Sequence, residues 1–186
     1  NKLFVKNLFK KNKFDYVFHF AAQAGVRYSI NHPSKYIDAN VNGYFNIIDN
    51  CKNFKVKKFF YASSSSVYGD SKKFPLTEKD NLNPKNIYGL TKKFNEEIAE
   101  NYSFYYNCKT IGLRFFTVYG SWGRPDMSIM KYIMANFSKE TYYLNNYGNH
   151  YRDFTHVSDV VGMMDKLIST KQKNNFEVYN ICSSKP

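Results

Sequence analysis

The chain has 186 residues, 43% of them hydrophobic, which is enough for one globular domain or most of one. Its formal net charge of +12 invites a nucleic-acid or membrane-surface interpretation, but the 27 Lys and Arg residues are scattered and form no single basic helix. No apolar run reaches the roughly 18 residues that span a bilayer, and three widely spaced cysteines match neither a disulfide framework nor a paired metal site. The sequence therefore predicts a cytoplasmic protein with no metal, membrane or nucleic-acid partner.

Short apolar runs alternate along the chain with longer segments of helical period, which is typical of a parallel sheet with crossover helices. The first run, DYVFHFAA at residues 15–22, predicts a buried strand that enters a turn of small residues. After Pro33, residues 34–54 predict a helix. The residues expected on one face of this helix are Tyr36, Val41, Phe45, Ile48 and Cys51.

The middle of the chain predicts two more strands joined by a helix. KKFFYASSSS, residues 57–66, is the second predicted strand, and TIGLRFFTVYG, residues 110–120, is the third. The helix between them covers residues 88–107, and the residues along one of its sides are Tyr88, Lys92, Asn95 and Ala99. The remaining predicted elements are two helices, near residues 127–137 and 158–169, and two strands, at residues 141–144 and 176–181.

Ser64, Tyr88 and Lys92 are the candidate proton-handling residues. Hydroxyl groups at the carboxyl end of a parallel strand face the ligand crevice, and residues four apart on a helix share one face. A phenol has an ordinary pKa of about 10, and a neighbouring ammonium group favours its phenolate form, which can act as a general base. Such a set can remove the proton of an alcohol while its hydride passes to a cofactor.

No glycine-rich G-x-G-x-x-G loop follows any predicted strand. A dinucleotide-binding chain needs that loop because its backbone N–H groups and a helix N-terminus hold the pyrophosphate. We therefore expect the chain to be an internal piece of a larger protein, and a non-catalytic fragment stays open as an alternative.

Five motifs, in this order and spacing, carry a resemblance to a known family: HFAAQAGVRYS, YASSSSVYG, YGLTKK, RFFTVYGSWGRPDM and RDFTHVSDV. Together they resemble the extended short-chain dehydrogenase/reductase superfamily, and within it the NAD-dependent nucleotide-sugar epimerases, above all the UDP-glucuronate 4-epimerase group. The resemblance implies a doubly wound, Rossmann-type α/β fold with NAD as cofactor. It also implies that the glycine-rich part and the C-terminal lobe are absent.

The resemblance assigns roles by matching positions. It implies that Tyr88 is the catalytic base, that Lys92 is its partner and contacts the nicotinamide ribose, and that Ser64 is the catalytic hydroxyl. The residues implied to line the cofactor are Ala21, Ala22, Gln23, Asn40 and Phe115, together with Tyr88 and Lys92. Residues 1–120 are then the later part of the cofactor domain, and residues 121–186 contribute to the start of a smaller substrate-binding lobe and to returning strands and a helix.

The substrate residues implied by the same match are Ser65, Ser66, Thr117, Arg124 and Arg152. Related dehydratases have acidic residues where Ser65 and Ser66 stand, so the serines favour epimerisation over elimination or decarboxylation. Arg124 matches the residue that holds the carboxylate of a hexuronic acid, and a guanidinium suits such a two-point contact.

These positions predict the 4-epimerisation of UDP-glucuronate to UDP-galacturonate, by an enzyme that forms a homodimer when full length. A 4-epimerase of neutral UDP-sugars stays open as an alternative. A basic nucleic-acid-binding module is the third option.

Overall fold

The computed structural model of the protein describes residues 1–149 and 151–184. The chain divides into two compact units. The first consists of Asn1–Phe115 and Gln172–Asn180, and the second consists of Phe116–Lys171 together with the end of the chain from Ile181.

Seven α-helices and six strands are found among the described residues. The helices are α1 (Lys2–Lys11), α2 (Val26–Asn31), α3 (Pro33–Tyr36), α4 (Tyr44–Asn53), α5 (Ile87–Tyr106), α6 (Ser128–Ser138) and α7 (Val157–Ser169). The strands are β1 (Tyr16–His19), β2 (Lys58–Ser64), β3 (Thr110–Phe115), β4 (Thr117–Tyr119), β5 (Phe154–His156) and β6 (Phe176–Ile181). A π-helix covers Ile37–Gly43, and short 3-10 helices cover Ser65–Val67 and Asn145–Gly148.

The first unit is built on a sheet with the strand order β1-β2-β3-β6. β1 pairs with β2 in parallel, with Val17 opposite Phe59, and β2 pairs with β3 in parallel, with Phe59 opposite Thr110. Parallel neighbours need crossover connections, and helices provide them between these strands. The predicted parallel α/β sheet is confirmed.

The main core of this unit lies between one face of the sheet and helices α1, α4 and α5. Phe59 and Tyr61 point from β2 into it, because alternate residues of a strand share a face. The buried members of this core are Phe9, Tyr44, Ile48, Cys51, Phe59, Tyr61, Ala99 and Tyr102.

The helix predicted over residues 34–54 is interrupted by the π-helix Ile37–Gly43. A π-helical turn contains more residues than an α-helical turn, so the buried positions move to a spacing of four. The buried residues are Tyr36, Asn40, Tyr44, Ile48, Asn50 and Cys51. The expectation for Phe45 was wrong, since this ring is 45% exposed.

Two strand predictions were also wrong. Residues 110–120 do not form one strand, because β3 pairs with β2 whereas β4 pairs with β5 in a separate two-stranded sheet. Residues 141–144 form no strand, and Tyr143 is 82% exposed there, with no partner strand among the described residues.

The second unit contains the parallel β4–β5 pair, in which Thr117 lies opposite Phe154, together with α6 and α7. Over residues 1–149 and 151–184, every helix is too short or too polar to cross a bilayer.

Two buried tyrosines of the first unit differ in hydrogen bonding, and this difference generates a stability prediction. The hydroxyl of Tyr44 donates to the carbonyl oxygen of Asn95 at 3.0 Å, whereas the hydroxyl of Tyr61 has no partner among the described residues. The Tyr61 ring lies over Gly112, where an added Cβ would come within 2.6 Å of the hydroxyl oxygen.

We expect Tyr61→Phe to raise the free energy of unfolding by about 1 kcal/mol, because an unsatisfied buried hydroxyl is removed. Tyr44→Phe is the matched control, and it should lower the free energy of unfolding by about 1 kcal/mol because a satisfied bond is lost. Urea denaturation of the two variants measures both values. Equal losses in the two variants would show that the Tyr61 hydroxyl is satisfied after all.

Candidate active site

Serine side chains at the carboxyl end of β2 form the first part of the site. β2 ends at Ser64, which is 7% exposed, and its hydroxyl accepts a hydrogen bond from the amide of Ser66 at 3.2 Å. This bond caps the 3-10 helix that contains Ser65 and Ser66, both of which are half-buried. Ser64 therefore lies at the strand end that faces the ligand crevice in doubly wound sheets.

Helix α5 begins close to this serine turn. Asn86 caps the helix, because its side chain accepts a hydrogen bond from the amide of Gly89 at 2.8 Å. A Cβ atom at Gly89 would lie 2.6 Å from the carbonyl oxygen of Ser66, so glycine is the residue that permits this approach. The close contact holds the first turn of α5, which carries Tyr88, next to the serine turn.

Lys92 is buried one turn further along α5. Its side chain is 4% exposed, and Nζ donates a hydrogen bond to the carbonyl oxygen of Ala62 at 2.8 Å. Nζ also lies 6.0 Å from the centroid of the Tyr88 ring. Burial removes water from the ammonium group and lowers the pKa of Lys92 to about 8. The structure therefore brings Ser64, Tyr88 and Lys92 together in one unit.

Asn40 holds the turn that follows β1. Its side-chain oxygen accepts from the amide of Gln23 at 2.8 Å, and its side-chain nitrogen donates to the carbonyl of Gln23 at 3.0 Å and to the hydroxyl of Thr91 at 3.1 Å. The hydroxyl of Tyr36 donates to the carbonyl of Ala24 at 2.9 Å in the same turn. Asn40 thus positions the predicted cofactor turn and connects it to α5.

The other predicted cofactor residues of this unit lie near the carboxyl ends of the strands. Ala21 and Ala22 are exposed in the turn after β1, and Phe115 ends β3. The ring of Phe115 packs edge-on against Phe20, with 5.6 Å between the centroids.

His19, the last residue of β1, is absent from the predicted site residues. Its pKa is lowered to about 4, first by burial and then by the positive charge of Lys92. A neutral imidazole here avoids a second positive charge beside the buried ammonium group. The signal available in the sequence was its position at the end of β1, directly before the turn that lines the predicted cofactor site.

The prediction also omits Glu96 and Arg114, which are both buried in the first unit. Glu96 lies eight positions after Tyr88 and therefore on the same face of α5. That spacing was visible in the sequence, but the partner of Glu96 was not.

The predicted substrate residues Thr117, Arg124 and Arg152 belong to the second unit. Thr117 and Arg124 both line a small cavity of about 160 Å³ in that unit. Arg124 is exposed and pairs with the carboxylate of Asp126, to which Nε donates at 3.0 Å. Arg152 is exposed and donates to the carbonyl of Tyr151 at 2.7 Å. Asp126 therefore occupies the edge of the guanidinium formed by Nε and one terminal nitrogen, and an anion that binds this edge must replace Asp126.

The donors present fit the nicotinamide half of a dinucleotide. An ammonium group has three N–H donors, and among the described residues only the carbonyl of Ala62 is in hydrogen-bond reach of Lys92. Donors thus remain for ribose hydroxyls, and the small side chains of Ala21 and Ala22 leave the adjacent turn open. No group of three His, Cys, Asp or Glu side chains converges as a metal site within the described ranges.

Comparison with known proteins gives a family match over almost the whole chain. The model of the NAD dependent epimerase/dehydratase family matches residues 1–182. The protein named UDP-glucuronate 4-epimerase 4, from Arabidopsis thaliana, is 42% identical over 175 residues, which cover 91% of this chain and 40% of that protein. The chain spans about half the length of the curated relatives that it matches.

Two solved structures show the same fold. The UDP-glucuronic acid 4-epimerase from Bacillus cereus, in complex with UDP-glucuronic acid and NAD, has a TM-score of 0.90 and 31% identity, covering 98% of this chain and 58% of that one. The UDP-glucose 4-epimerase from Thermotoga maritima, with UDP-glucose, has a TM-score of 0.91 and 28% identity, covering 100% and 60%. The predicted Rossmann-type α/β fold is confirmed.

Burial of Lys92 predicts a pH dependence of stability. The folded state has a pKa of about 8 for Lys92, against 10.5 in the unfolded chain, so between these pH values the unfolded state binds more protons. The free energy of unfolding should therefore rise from pH 8 to pH 10.5, by up to about 3 kcal/mol. Urea denaturation across this range should show the rise in the parent protein and in Lys93→Met, but not in Lys92→Met. A rise of the same size in Lys92→Met would contradict the assignment.

Proposed function

Because the chain belongs to the NAD dependent epimerase/dehydratase family, we propose that it carries the catalytic part of an NAD-dependent 4-epimerase of UDP-sugars. The observation that carries this proposal is the convergence of Ser64, Tyr88 and Lys92 at the carboxyl end of β2. Residues 1–120 would then belong to the cofactor domain, and residues 121–186 would contribute to the substrate lobe and to returning strands and a helix.

Proton transfer at C4 of the sugar is the task of these three residues. Tyr88, as phenolate, accepts the C4 hydroxyl proton directly or through the hydroxyl of Ser64. The ammonium group of Lys92 favours the phenolate, and its pKa of about 8 keeps it mostly protonated at pH 7. When the reaction reverses, Tyr88 returns the proton to the C4 oxygen.

When bound, NAD⁺ would supply a hydride acceptor for C4 and, as NADH, a hydride donor to the opposite face of the 4-keto sugar. Lys92 would hold the nicotinamide ribose, and Asn40 and Gln23 would shape the turn that lines the cofactor. Phe115 would pack near the nicotinamide. Proton and hydride both return to the sugar, so the substrate undergoes no net oxidation.

For the substrate, we propose a UDP-hexuronic acid, interconverted between UDP-glucuronate and UDP-galacturonate. Arg124 offers a guanidinium for the carboxylate, and its present partner Asp126 is an exposed carboxylate of the same chemistry. Exposed ion pairs contribute about 0–1 kcal/mol of stability, so replacing Asp126 by the substrate carboxylate costs little free energy. Thr117 would contact the sugar and Arg152 the diphosphate.

Ser65 and Ser66 support epimerisation rather than elimination or decarboxylation. Both side chains are neutral and half-buried in the turn after Ser64, so no additional carboxylate stands beside the reacting sugar at these two positions. A 4-epimerase of neutral UDP-sugars is the second candidate, and the likeness to the UDP-glucose 4-epimerase from Thermotoga maritima favours it.

The exposed rings on helices α4 and α5 favour a homodimer. Phe45 is 45% exposed on α4, and Phe104 and Tyr105 are 80% and 71% exposed on α5. Large apolar side chains exposed at a protein surface are typical of protein interfaces. Sedimentation velocity of the polypeptide encoded by the complete reading frame that contains this chain should show a dimer, and a monomer at micromolar concentration would refute this proposal.

Loss of the phenol tests the catalytic assignment. The polypeptide encoded by the complete reading frame that contains this chain should convert UDP-glucuronate to UDP-galacturonate without added cofactor, as followed by proton NMR of the sugar ring. Tyr88→Phe should lower the rate at least ~100-fold, because general acid–base catalysis is removed. Tyr106→Phe, an exposed tyrosine at the end of the same helix, is the control and should retain the parent rate. Turnover of the parent protein that survives Tyr88→Phe would refute the role of Tyr88.

Changes at Arg124 and Asp126 test the substrate class. Arg124→Met should raise the KM for UDP-glucuronate about tenfold, because the substrate carboxylate loses a charge-assisted hydrogen bond. The KM for UDP-glucose should stay within about twofold of the parent value. Asp126→Asn should lower the KM for UDP-glucuronate by up to about fivefold, since the internal competitor is removed.

Asp165→Asn, an exposed carboxylate of α7, is the control for Asp126→Asn and should change neither KM. If UDP-glucose is turned over and UDP-glucuronate is not, the neutral-sugar candidate replaces the uronate proposal.

A further inference from the structure

Glu96 and Arg114 form a buried ion pair in the first unit. Arg114 is 4% exposed and Glu96 is 3% exposed. The guanidinium contacts both carboxylate oxygens, with Nε donating to Oε1 at 2.9 Å and a terminal nitrogen donating to Oε2 at 2.7 Å. This two-point contact fixes both the distance and the orientation of the two side chains.

The pair is connected to two further parts of the unit by hydrogen bonds. The hydroxyl of Ser63 donates to Oε1 of Glu96, and the other terminal nitrogen of Arg114 donates to the hydroxyl of Tyr68 at 2.7 Å. The hydroxyl of Tyr68 in turn donates to the side chain of Asn180 on β6 at 2.7 Å. The network therefore joins β2, α5, β3, β6 and the loop after β2.

Three residues of this network, Ser63, Glu96 and Arg114, lie within four positions in the chain of a residue of the proposed site. Ser63 directly precedes Ser64, and Arg114 directly precedes Phe115. Glu96 is four positions after Lys92 and thus one turn further on the same face of α5. A displacement of this network would move the hydroxyl of Ser64, the ammonium group of Lys92 and the ring of Phe115 relative to one another.

Stability alone is a weak explanation for this pair. Replacing a buried ion pair by apolar residues of similar volume is often neutral or stabilising, whereas a fixed geometry is what a two-point pair supplies. Catalysis depends on such geometry, because a misplacement of about 1 Å can lower a rate by about a hundredfold.

We propose that Glu96 and Arg114 are positioning residues of the active site, which hold the end of β2 at Ser64 against the face of α5 that carries Tyr88 and Lys92. The inference rests on the proposed epimerase function, and it assigns to neither residue a contact with the substrate.

The first test compares kcat and KM in folded variants of the protein from the complete reading frame. Arg114→Lys keeps the positive charge but loses the two-point contact, so kcat should fall about tenfold or more while the KM for UDP-glucuronate stays within about twofold. Glu97→Gln is the matched control, because Glu97 lies next to Glu96 on α5 and pairs with Lys93 on the surface at 3.7 Å. It should leave kcat unchanged. An Arg114→Lys variant that folds and retains the parent kcat would overturn the inference.

The second test does not depend on the substrate or on catalysis. Ser63→Ala leaves the ion pair intact and removes its hydrogen bond to β2. In this variant the amides of residues 64–68 should exchange with deuterium about tenfold faster than in the parent protein. In the control Glu97→Gln the same amides should exchange at the parent rate. If Arg114→Lys fails to fold, Ser63→Ala alone decides, and unchanged exchange of the amides of residues 64–68 overturns the inference.

The two proposals can fail separately. A parent protein that turns over no UDP-sugar refutes the proposed function, and the exchange result then still reports whether the network holds Ser64. An active parent with unaffected Ser63→Ala and Arg114→Lys variants refutes the positioning role alone.

Discussion

Lys92 loses nearly all contact with water, and the carbonyl of Ala62 is the group that compensates for this loss. A buried ammonium group is costly unless it is hydrogen-bonded, and the bond to β2 lowers that cost without cancelling the positive charge. The same charge is what the proposed phenolate of Tyr88 requires. The position of α5 on the sheet therefore depends on a polar contact that also serves the chemistry.

Two other buried polar side chains of α5, Thr91 and Glu96, follow the same principle. Thr91 accepts a hydrogen bond from Asn40, which also holds the turn after β1. Glu96 is satisfied by Arg114 from β3. A buried polar group without a partner costs free energy, so these bonds favour one position of the helix, whereas apolar contacts would tolerate small shifts.

The second unit presents its charged groups differently. Arg124 is exposed and its partner Asp126 lies two residues away in the chain, so the pair can open at little cost. Arg152 is likewise exposed. Ser64 and Lys92, proposed for proton transfer, are thus buried and hydrogen-bonded, while the two arginines proposed for substrate binding remain accessible. This contrast fits catalysis, which needs fixed geometry, and ligand binding, which needs groups that can change partners.

The amino-acid sequence by itself determined the parallel α/β class, the strand that ends in the serines, and the face of α5 with Tyr88 and Lys92. These features depend on residue periods of two and 3.6 and on motifs within a few residues, which local physical chemistry dictates. Only the tertiary structure decided the π-helical shift that buries Tyr44 instead of Phe45, the break between β3 and β4, and the pairing of Glu96 with Arg114. Those outcomes depend on partners far apart in the chain: Asn40 and Thr91 are separated by 51 positions, and Tyr68 and Asn180 by 112. A local pattern specifies which groups must be satisfied, but packing of the whole unit selects the partner that satisfies them.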